Sequence, residues 1–394
     1  MIKTPNHFIK NVRCYQKQTN EYETVDLVIS NGMITDITKQ PLPENGCDVI
    51  DGQGLFVFSS LSDIHTHGAL LCEFATDPSD KIANCMKFYT SQGVTSLFPT
   101  TLTAKPQDIL HAVKEITLAA KQVDKVSIDG IHIEGPFLSA KRKGAHIESL
   151  LLSPDIDFVD QIIQISDGLK IRLTVAPEYE NGISFIKQCV ERGVEVSLGH
   201  TDAGYDIIMR ALEAGADCFT HLYNAMSPLH HREPGAVGTA LAEDVYTELI
   251  CDGIHVHPEV VKLTSKMKSK EKLILITDSM KAAGLQENSD VALSIGGLQV
   301  KIQNGVATTS DGTLAGSVIG LFDSVMNYRK FSGASLYDAF CAANINPRKL
   351  TGFADKAGSV EIGKRADLIL CSEQTLFYTI LNGKIVYSAT SQNE

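Results

Sequence analysis

The chain has 394 residues, of which 43% are hydrophobic and 21% are charged, with a formal net charge of -12 and a pI near 5.5. This length exceeds what one hydrophobic core usually serves, so we expect a large domain with a smaller companion. The negative charge repels polyanions, and no apolar run reaches the roughly 20 residues that span a bilayer. We therefore exclude nucleic-acid binding and membrane insertion, and expect any small anionic ligand to be held by local contacts.

The beginning of the chain and its cysteines indicate the compartment. The first ten residues, MIKTPNHFIK, contain neither an apolar core of signal-peptide length nor a small-residue cleavage site. The nine cysteines are scattered without a Cys-x-x-Cys pair, which is typical of reduced thiols rather than of disulfides or a thiolate zinc site. We expect the protein to be cytoplasmic.

Short strands are predicted first, up to about residue 56. The run TVDLVISNGMITDI is rich in Val and Ile and contains an Asn-Gly hairpin signal. The sequence PLPENG that follows predicts a loop. The chain therefore begins with β structure and not with a helix.

Apolar strand-like runs then alternate with helical stretches from about residue 57 to 280. The runs include TSLFPTTL, VSIDGIHIEGPF, IRLTVAPE, VEVSLGH and KLILITDS, and the intervening DILHAVKEITLAAKQV has the apolar spacing of an amphipathic helix. This alternation favours a parallel β/α architecture with strands buried on both faces. If LFVFSSLSDIH is the first run, eight strands precede Asp278, as in a (β/α)8 barrel, but the pattern alone also fits a doubly wound open sheet.

The last part of the chain returns to β pattern. A hairpin insert is predicted over 291–309, helices over about 316–351, and strands with another Asn-Gly turn in the tail. We predict an α/β protein with a TIM-type (β/α)8 barrel over residues 57–352. Residues 1–56 and 353–394 are predicted to form one small β-sandwich domain from both termini.

Histidines and carboxylates occur at the ends of five predicted strands. They are His65 and His67 in DIHTHG, Glu134 in HIEGPF, His200 in SLGH, His221 in FTH and Asp278 in LITD. In a (β/α)8 barrel the carboxyl ends of the strands form one mouth, where active sites lie, so this placement favours the barrel over the open sheet. Four imidazoles and two carboxylates suit zinc, or iron or another divalent first-row ion.

Each of these residues also has a purely structural interpretation. A lone His-x-His is a weak signal, although residues i and i+2 of a strand point to the same side and can reach one ion. His200 or His221 alone fits a buried, hydrogen-bonded histidine. A carboxylate that ends an apolar strand, as Glu134 and Asp278 do, is costly to bury unless it is paired or coordinated. Five such strand ends together indicate a metal site.

Several long motifs occur in order along nearly the whole chain. They are HIEGPF, KGAH, SLGHT, THLYNAMSPLHHREPG, DGIH, LITD and GTLAGS. In these motifs the chain resembles the N-acetylglucosamine-6-phosphate deacetylase family of the amidohydrolase superfamily. The resemblance implies hydrolysis of the substrate acetamide by a metal-activated water, giving glucosamine 6-phosphate and acetate. It further implies that Glu134, His200 and His221 hold the principal metal and that Asp278 is the general base and acid.

The same resemblance implies further roles. Some members of the family retain the His-x-His and can hold two ions, so His65 and His67 predict a second metal position, with Glu134 bridging both. His146 resembles the residue that hydrogen-bonds the substrate carbonyl oxygen. The implied substrate contacts are Ala145, His146, Asn224, Ala225, Arg232, His255, Leu314, Ala315 and Gly316.

The stretch HHREPG suits a phosphate group. Arg232 offers a planar fork for phosphate oxygens, and His255 and Asn224 can add hydrogen bonds. Arg232 also suits a surface salt bridge. In related enzymes a neighbouring subunit completes the phosphate pocket, so the resemblance implies a homodimer that binds a phosphorylated amino sugar.

Two other functions remain open from the sequence. The first is another amidohydrolase reaction, such as that of a deaminase or cyclic amidase, which the same fold and metal site can serve. Such a reaction does not require Asn224, Ala225 and Arg232. The second is a non-catalytic interaction protein on the same fold, which has no reason to retain buried carboxylates at Glu134 and Asp278.

Overall fold

The computed structural model of the chain describes residues 7–40, 48–285 and 291–389. The first residues of the chain and the predicted loop 41–46 lie outside these ranges. Within them, every helix is too short or too polar to traverse a lipid bilayer.

Five strands begin the described chain. They are β1 (His7–Gln16), β2 (Glu21–Ser30), β3 (Met33–Thr38), β4 (Asp48–Asp51) and β5 (Phe56–Ser59). β2 and β3 pair antiparallel across Asn31 and Gly32, whose φ angles are 52° and 74°. Asn-Gly favours two-residue turns in which both central residues have positive φ. The hairpin predicted from this dipeptide is confirmed.

The next eleven strands include the barrel. In chain order they are β6 (Leu61–Thr66), β7 (Gly68–Ala69), β8 (Cys72–Glu73), β9 (Val94–Thr101), β10 (Ser127–Ile128), β11 (Gly130–Glu134), β12 (Lys170–Val175), β13 (Glu195–Leu198), β14 (Cys218–Phe219), β15 (Tyr246–Ile250) and β16 (Leu273–Ile276). β7 and β8 form a separate ribbon, and β10 pairs beside β9. The other eight pair in parallel, each with the next.

The parallel sheet closes on itself. The backbone N–H of Asp278, just after β16, donates to the carbonyl oxygen of His65 in β6 at 2.9 Å, and that of His67 donates to Ser279 at 2.7 Å. These bonds join the last barrel strand to the first. The predicted (β/α)8 barrel is confirmed, and the open sheet is excluded.

Ten α-helices accompany these strands in the described ranges. They are α1 (Ser79–Ser91), α2 (Pro106–Gln122), α3 (Ile156–Ile165), α4 (Gly182–Glu191), α5 (Tyr205–Glu213), α6 (Gly235–Ala242), α7 (Pro258–Met267), α8 (Leu321–Ser332), α9 (Leu336–Cys341) and α10 (Ile345–Thr351). In α2, the apolar residues Ile109, Val113 and Ile116 recur at helical spacing and are buried in the main core. α2 therefore packs against the barrel with one apolar face, whereas α6 has seven of its eight residues buried.

Six more strands end the chain. β17 (Val291–Ile295), β18 (Leu298–Gln303) and β19 (Val306–Thr309) form an antiparallel sheet where a hairpin insert is predicted. β20 (Leu368–Cys371), β21 (Leu376–Leu381) and β22 (Lys384–Ser388) join β5, β1, β2 and β3 in one sheet, with β4 beside β1. Ile9, Leu27 and Leu368 share a core separate from the barrel. The small β domain built from both termini is confirmed, and its division at residues 56 and 353 stays a prediction.

The run LFVFSSLSDIH, which the sequence suggests as one strand, is two. β5 pairs with β20 in the terminal sheet, and β6 starts the barrel after Ser60. The buried guanidinium of Arg348 donates to the carbonyl oxygens of Ser60 and Leu61 and so holds the break between the strands. Both halves are buried, so the apolar pattern carries no sign of the break.

Acidic side chains lie at the amino end of the barrel, away from its mouth. Burial, followed by the charge of Asp217, raises the pKa of Glu195 to about 7, and burial raises the pKa of the half-buried Asp217 to about 6. Lys170 Nζ lies 3.4 Å from Glu195 Oε1. The charges of Lys170 and of the buried Arg172 offset only part of the rise, and within the described residues neither Glu195 oxygen has a well-aligned hydrogen-bond donor. The negative charge of ionised Glu195 is therefore only partly balanced by the groups around it.

We predict that Glu195→Gln stabilises the fold at about pH 8 by on the order of 2 kcal/mol and has little effect near pH 4. The raised folded-state pKa means that the folded protein binds this proton more tightly than the unfolded chain. The parent protein therefore loses folding stability as the pH rises from 4.5, the ordinary pKa of a glutamate, through about 7. Gln mimics the protonated form and cannot ionise, so the variant avoids this loss. Urea unfolding of both proteins at the two pH values measures this. An equal change at both would contradict the prediction.

Candidate metal centre

The five predicted metal ligands and Asp278, the predicted general base and acid, converge at the mouth of the barrel. They are His65, His67, Glu134, His200, His221 and Asp278, and all are buried. Glu134 ends β11, while His200, His221 and Asp278 each lie two residues beyond β13, β14 and β16. The structure therefore brings together every residue that the sequence predicts for this cluster.

Three of these residues have unusual backbone conformations. The φ angles of His200, His221 and Asp278 are 45°, 29° and 47°. Positive φ is uncommon for residues other than glycine and costs on the order of 1–3 kcal/mol each. Such strain persists only where the surrounding structure enforces it, and it is concentrated at functional sites. A positive φ thus recurs at three strand ends of the mouth.

Glu134 lies at the centre of the cluster. Its Oε1 lies 3.4 Å from His200 Nε2 and 3.1 Å from His221 Nε2, and its Oε2 lies 3.0 Å from His67 Nε2. Asp278 Oδ1 lies 3.1 Å from His67 Nε2 and 3.5 Å from His65 Nε2. Two groups of ligand atoms result, each within 4.8 Å, and Glu134 belongs to both.

The histidine ring nitrogens indicate what the cluster can bind. His200 Nδ1 faces the carbonyl oxygen of Arg142 at 2.9 Å, so it carries the proton there and a neutral ring leaves a lone pair on Nε2. That Nε2 lies only 3.0 Å from His221 Nε2. His65 Nε2 has no hydrogen-bond partner within the described ranges. Imidazole nitrogens and carboxylate oxygens grouped this closely form a donor set that suits divalent cations such as zinc.

The charges in the cluster shift the pKa values of its members. Burial lowers the pKa of His65 and of His67, but Glu134 and Asp278 outweigh it, raising that of His65 well above its ordinary value and that of His67 to about 9. Burial raises the pKa of Asp278, but the two histidines bring it down to about 2. The carboxylates therefore stay ionised and favour positive charge among them.

His146 lies beside the cluster, between the 3-10 turns Ala140–Arg142 and Glu148–Leu150. Its Nδ1 lies 2.8 Å from Thr103 Oγ1, and its Nε2 lies 3.8 Å from Glu134 Oε2. Burial lowers the pKa of this imidazole to about 3. His146 is therefore neutral at physiological pH and presents one N–H.

The cluster opens into a cavity of about 380 Å³. Eight predicted substrate residues line it, namely Ala145, His146, Asn224, Ala225, His255, Leu314, Ala315 and Gly316. Gly316 has a φ of 73°, and a Cβ there would lie 2.9 Å from the carbonyl oxygen of Asp278. A side chain at this position would strain the backbone beside the metal ligands. The size and concave shape are those of a small-molecule pocket.

Arg232 does not line this cavity. It is exposed, and its Nη1 lies 2.8 Å from His231 Nε2. It lines a separate surface pocket of about 720 Å³, to which Arg142 also contributes. Arg142 lines both pockets. Within one chain the structure therefore does not bring Arg232 to His255 and Asn224, with which the sequence predicts it to act.

Two sets of residues at the site were not predicted from the sequence, one behind the metal ligands and one lining the cavity. The first is Glu248 in β15, whose Oε2 lies 3.0 Å from His65 Nδ1. The sequence feature that could have identified it is a carboxylate inside the apolar run YTELI. Ile295, Leu298 and Val300 of the hairpin insert line the cavity. No local pattern identifies these apolar residues, because only folding brings the hairpin over the mouth.

Fold and site together define a class of protein. A closed parallel (β/α)8 barrel carries histidines and carboxylates at its catalytic face, arranged as ligands for divalent ions. This is the architecture of a metal-dependent hydrolase.

Comparison with known proteins specifies the family. The model of the amidohydrolase family matches residues 56–392. The N-acetylglucosamine-6-phosphate deacetylase of Bacillus subtilis (strain 168) is 36% identical over 370 residues, covering 91% of this chain and 92% of that protein. The N-acetylgalactosamine-6-phosphate deacetylase of Escherichia coli O157:H7 is 33% identical over 345 residues, covering 87% and 89%. The chain belongs to the amidohydrolase family.

A solved structure agrees with this assignment. A mutant N-acetyl-D-glucosamine-6-phosphate deacetylase from Mycobacterium smegmatis, in complex with N-acetyl-D-glucosamine-6-phosphate, superposes with a TM-score of 0.86 at 30% identity. The match covers 97% of this chain and 99% of that one. The predicted resemblance to the N-acetylglucosamine-6-phosphate deacetylases is confirmed.

We predict that Glu134→Gln abolishes binding at both metal positions, whereas His67→Asn abolishes it at one. Under metal-replete conditions the parent should hold about two ions per chain, His67→Asn about one and Glu134→Gln almost none, because only Glu134 belongs to both ligand groups. Elemental mass spectrometry of the purified proteins measures this, with His111→Asn on the outer helix α2 as a control. A parent with one ion per chain would count against the paired site.

Proposed function

We propose that the protein hydrolyses the acetamide of N-acetylglucosamine 6-phosphate to glucosamine 6-phosphate and acetate. The observation that carries this proposal is the convergence of Glu134, His200, His221 and Asp278 on a cavity whose walls come from the substrate-binding motifs. The relatives of that name, similar over nearly the whole chain, support it.

We further propose zinc, or iron or another divalent ion, as the cofactor, because the donor set combines imidazole nitrogen and carboxylate oxygen. Such an ion, when bound, lowers the pKa of water from 15.7 to about 7 and polarises a carbonyl oxygen. Glu134, His200 and His221 would hold one ion, and His65 and His67 a second one beside Glu134.

Asp278 is suited to move the proton. Its Oδ1 lies 3.1 Å from His67 Nε2, beside Glu134 and at the edge of the cavity, so the carboxylate is placed to accept a proton from the attacking water and pass it to the leaving amine. Neutral His146 can donate one hydrogen bond to the oxygen on which negative charge develops. The loss of such a donor typically costs about 100- to 1000-fold in rate.

We assign phosphate recognition to His255 and to an arginine from a second chain. Burial lowers the pKa of His255, but the carboxylate of Asp252, 2.6 Å from Nδ1, outweighs it and leaves the pKa raised, which favours a cationic ring at the cavity. Arg232 lies outside the cavity of its own chain, which supports completion of the pocket by a neighbouring subunit in a homodimer. The eight described cysteines form no disulfide, which favours a cytoplasmic location.

N-acetylgalactosamine 6-phosphate is the second candidate substrate. The relative from Escherichia coli O157:H7 that carries this activity in its name is 33% identical. The two sugars differ only in the configuration of one hydroxyl group, so acetate release from both phosphorylated sugars has to be compared directly.

We predict that the metal-loaded protein releases acetate from N-acetylglucosamine 6-phosphate, and that kcat/KM falls at least about 100-fold without the phosphate, because two charge-assisted contacts are lost. Asp278→Asn should lower kcat by about 100- to 10000-fold, since it cannot accept the proton. Steady-state acetate assays with both phosphorylated sugars and unphosphorylated N-acetylglucosamine measure these effects. An inactive metal-loaded parent, or indifference to phosphate, would refute the substrate assignment.

We predict that two inactive variants restore activity when mixed. Arg232→Ala and Asp278→Asn each damage one part of the site, but in a hybrid dimer one site combines an intact Asp278 with an Arg232 from the other chain. After denaturation and joint refolding, about a quarter of the parent activity should return, since half of the dimers are hybrids with one intact site each. As the control, each of the two variants is refolded alone, where no dimer has an intact site and no activity should return. No recovery would mean that Arg232 does not act across subunits.

A further inference from the structure

Glu248 lies beneath the metal centre, in the middle of β15, and is fully buried. Its Oε2 lies 3.0 Å from His65 Nδ1 and also accepts the backbone N–H of His221 at 3.1 Å. His65 belongs to one ligand group and His221 to the other. One carboxylate oxygen therefore contacts residues of both proposed metal positions.

Arg172 fixes the charge and orientation of Glu248. Its guanidinium, fully buried on β12, forms an ion pair with Glu248 Oε1. Arginine stays protonated in proteins, and a buried carboxylate paired in this way stays ionised. The second carboxylate oxygen is thereby held against His65 and His221.

This arrangement determines the tautomer of His65. An ionised carboxylate only accepts hydrogen bonds, so His65 Nδ1 must carry the proton that it shares with Glu248. In the neutral ring, Nε2 then presents its lone pair, and it lies 3.4 Å from Glu134 Oε1. Carboxylates behind ligating histidines orient the ring in this way in many metal sites.

The contact with His221 is of a different kind. Glu248 accepts the backbone N–H, and the side-chain nitrogen Nε2 of His221 lies on the Glu134 side. His221 has a φ of 29°, so its backbone needs external support to keep this conformation. The effect of Glu248 on His221 is therefore one of backbone placement, not of tautomer.

We propose that Glu248 is a positioning residue that orients the ligands of both metal positions and acts most strongly on the one formed by His65 and His67. This inference rests on the proposed metal-dependent function. It assigns Glu248 no contact with substrate.

Metal titration of the apoprotein tests this role without an activity assay. We compare the parent, Glu248→Gln and Glu195→Gln, the last being a matched amide substitution of another buried barrel carboxylate. Zinc binding is followed by calorimetry, and His67→Asn identifies which binding step belongs to the His65 and His67 position. In Glu248→Gln the affinity of that step should fall about 10- to 100-fold, while the other step changes much less. Glu195→Gln should match the parent.

A second variant guards against misfolding, because Glu248→Gln leaves Arg172 unpaired in the interior. Arg172→Met with Glu248→Met removes both charges and is expected to fold, since paired buried ions can be replaced by apolar side chains of similar volume. Circular dichroism and gel filtration verify the fold of each protein. The double variant should lose affinity at the same step as Glu248→Gln.

Three outcomes decide the inference. Selective weakening of the His65 and His67 step in either folded variant supports it. Parent-like affinity at both steps, or equal weakening of both, overturns it. If Glu248→Gln shows the selective effect but the metal-loaded parent releases no acetate from the phosphorylated sugars, the positioning role stands and the proposed substrate fails.

Discussion

The buried carboxylate of Glu134 is the constraint on which the rest of the site depends. An ionised carboxylate in a protein interior must be matched by positive charge or hydrogen-bond donors, and Glu134 is surrounded by His65, His67, His200 and His221. These residues come from strands all around the barrel. Closure of the sheet between β16 and β6 is therefore a requirement of the site, because an open sheet could not place His65 opposite His200.

Elements outside the barrel complete the surroundings of this centre. The hairpin β17 to β19 contributes an apolar wall to the cavity. Glu73 ties it to the barrel, because its carboxylate accepts the backbone N–H of Gly296 at 2.7 Å and pairs with Lys281. The metal ligands thus lie on rigid strand ends, while the wall that faces the substrate is an attached element. This division is common in barrels, whose loops vary around a fixed scaffold.

Much of the fold and of the cluster could be predicted from local chemistry. The Asn31-Gly32 turn follows from the conformations open to two residues, and Glu134 and Asp278 stand out because they end apolar strands. The break at Ser60 could not be predicted, since buried strands on both sides of it share one apolar pattern. Glu248 carried the same signal as Glu134, but its position inside a strand concealed its relation to His65.

The sequence by itself determined the strand and helix alternation, the ligand types at the strand ends and the motifs shared with the family, because each of these depends on neighbours along the chain. Only the tertiary structure decided that Glu248 contacts His65 and that Arg232 stays outside its own cavity. The physical reason is distance along the chain. His65 and Glu248 are 183 positions apart, and a 3.0 Å contact between them exists only once the barrel has closed.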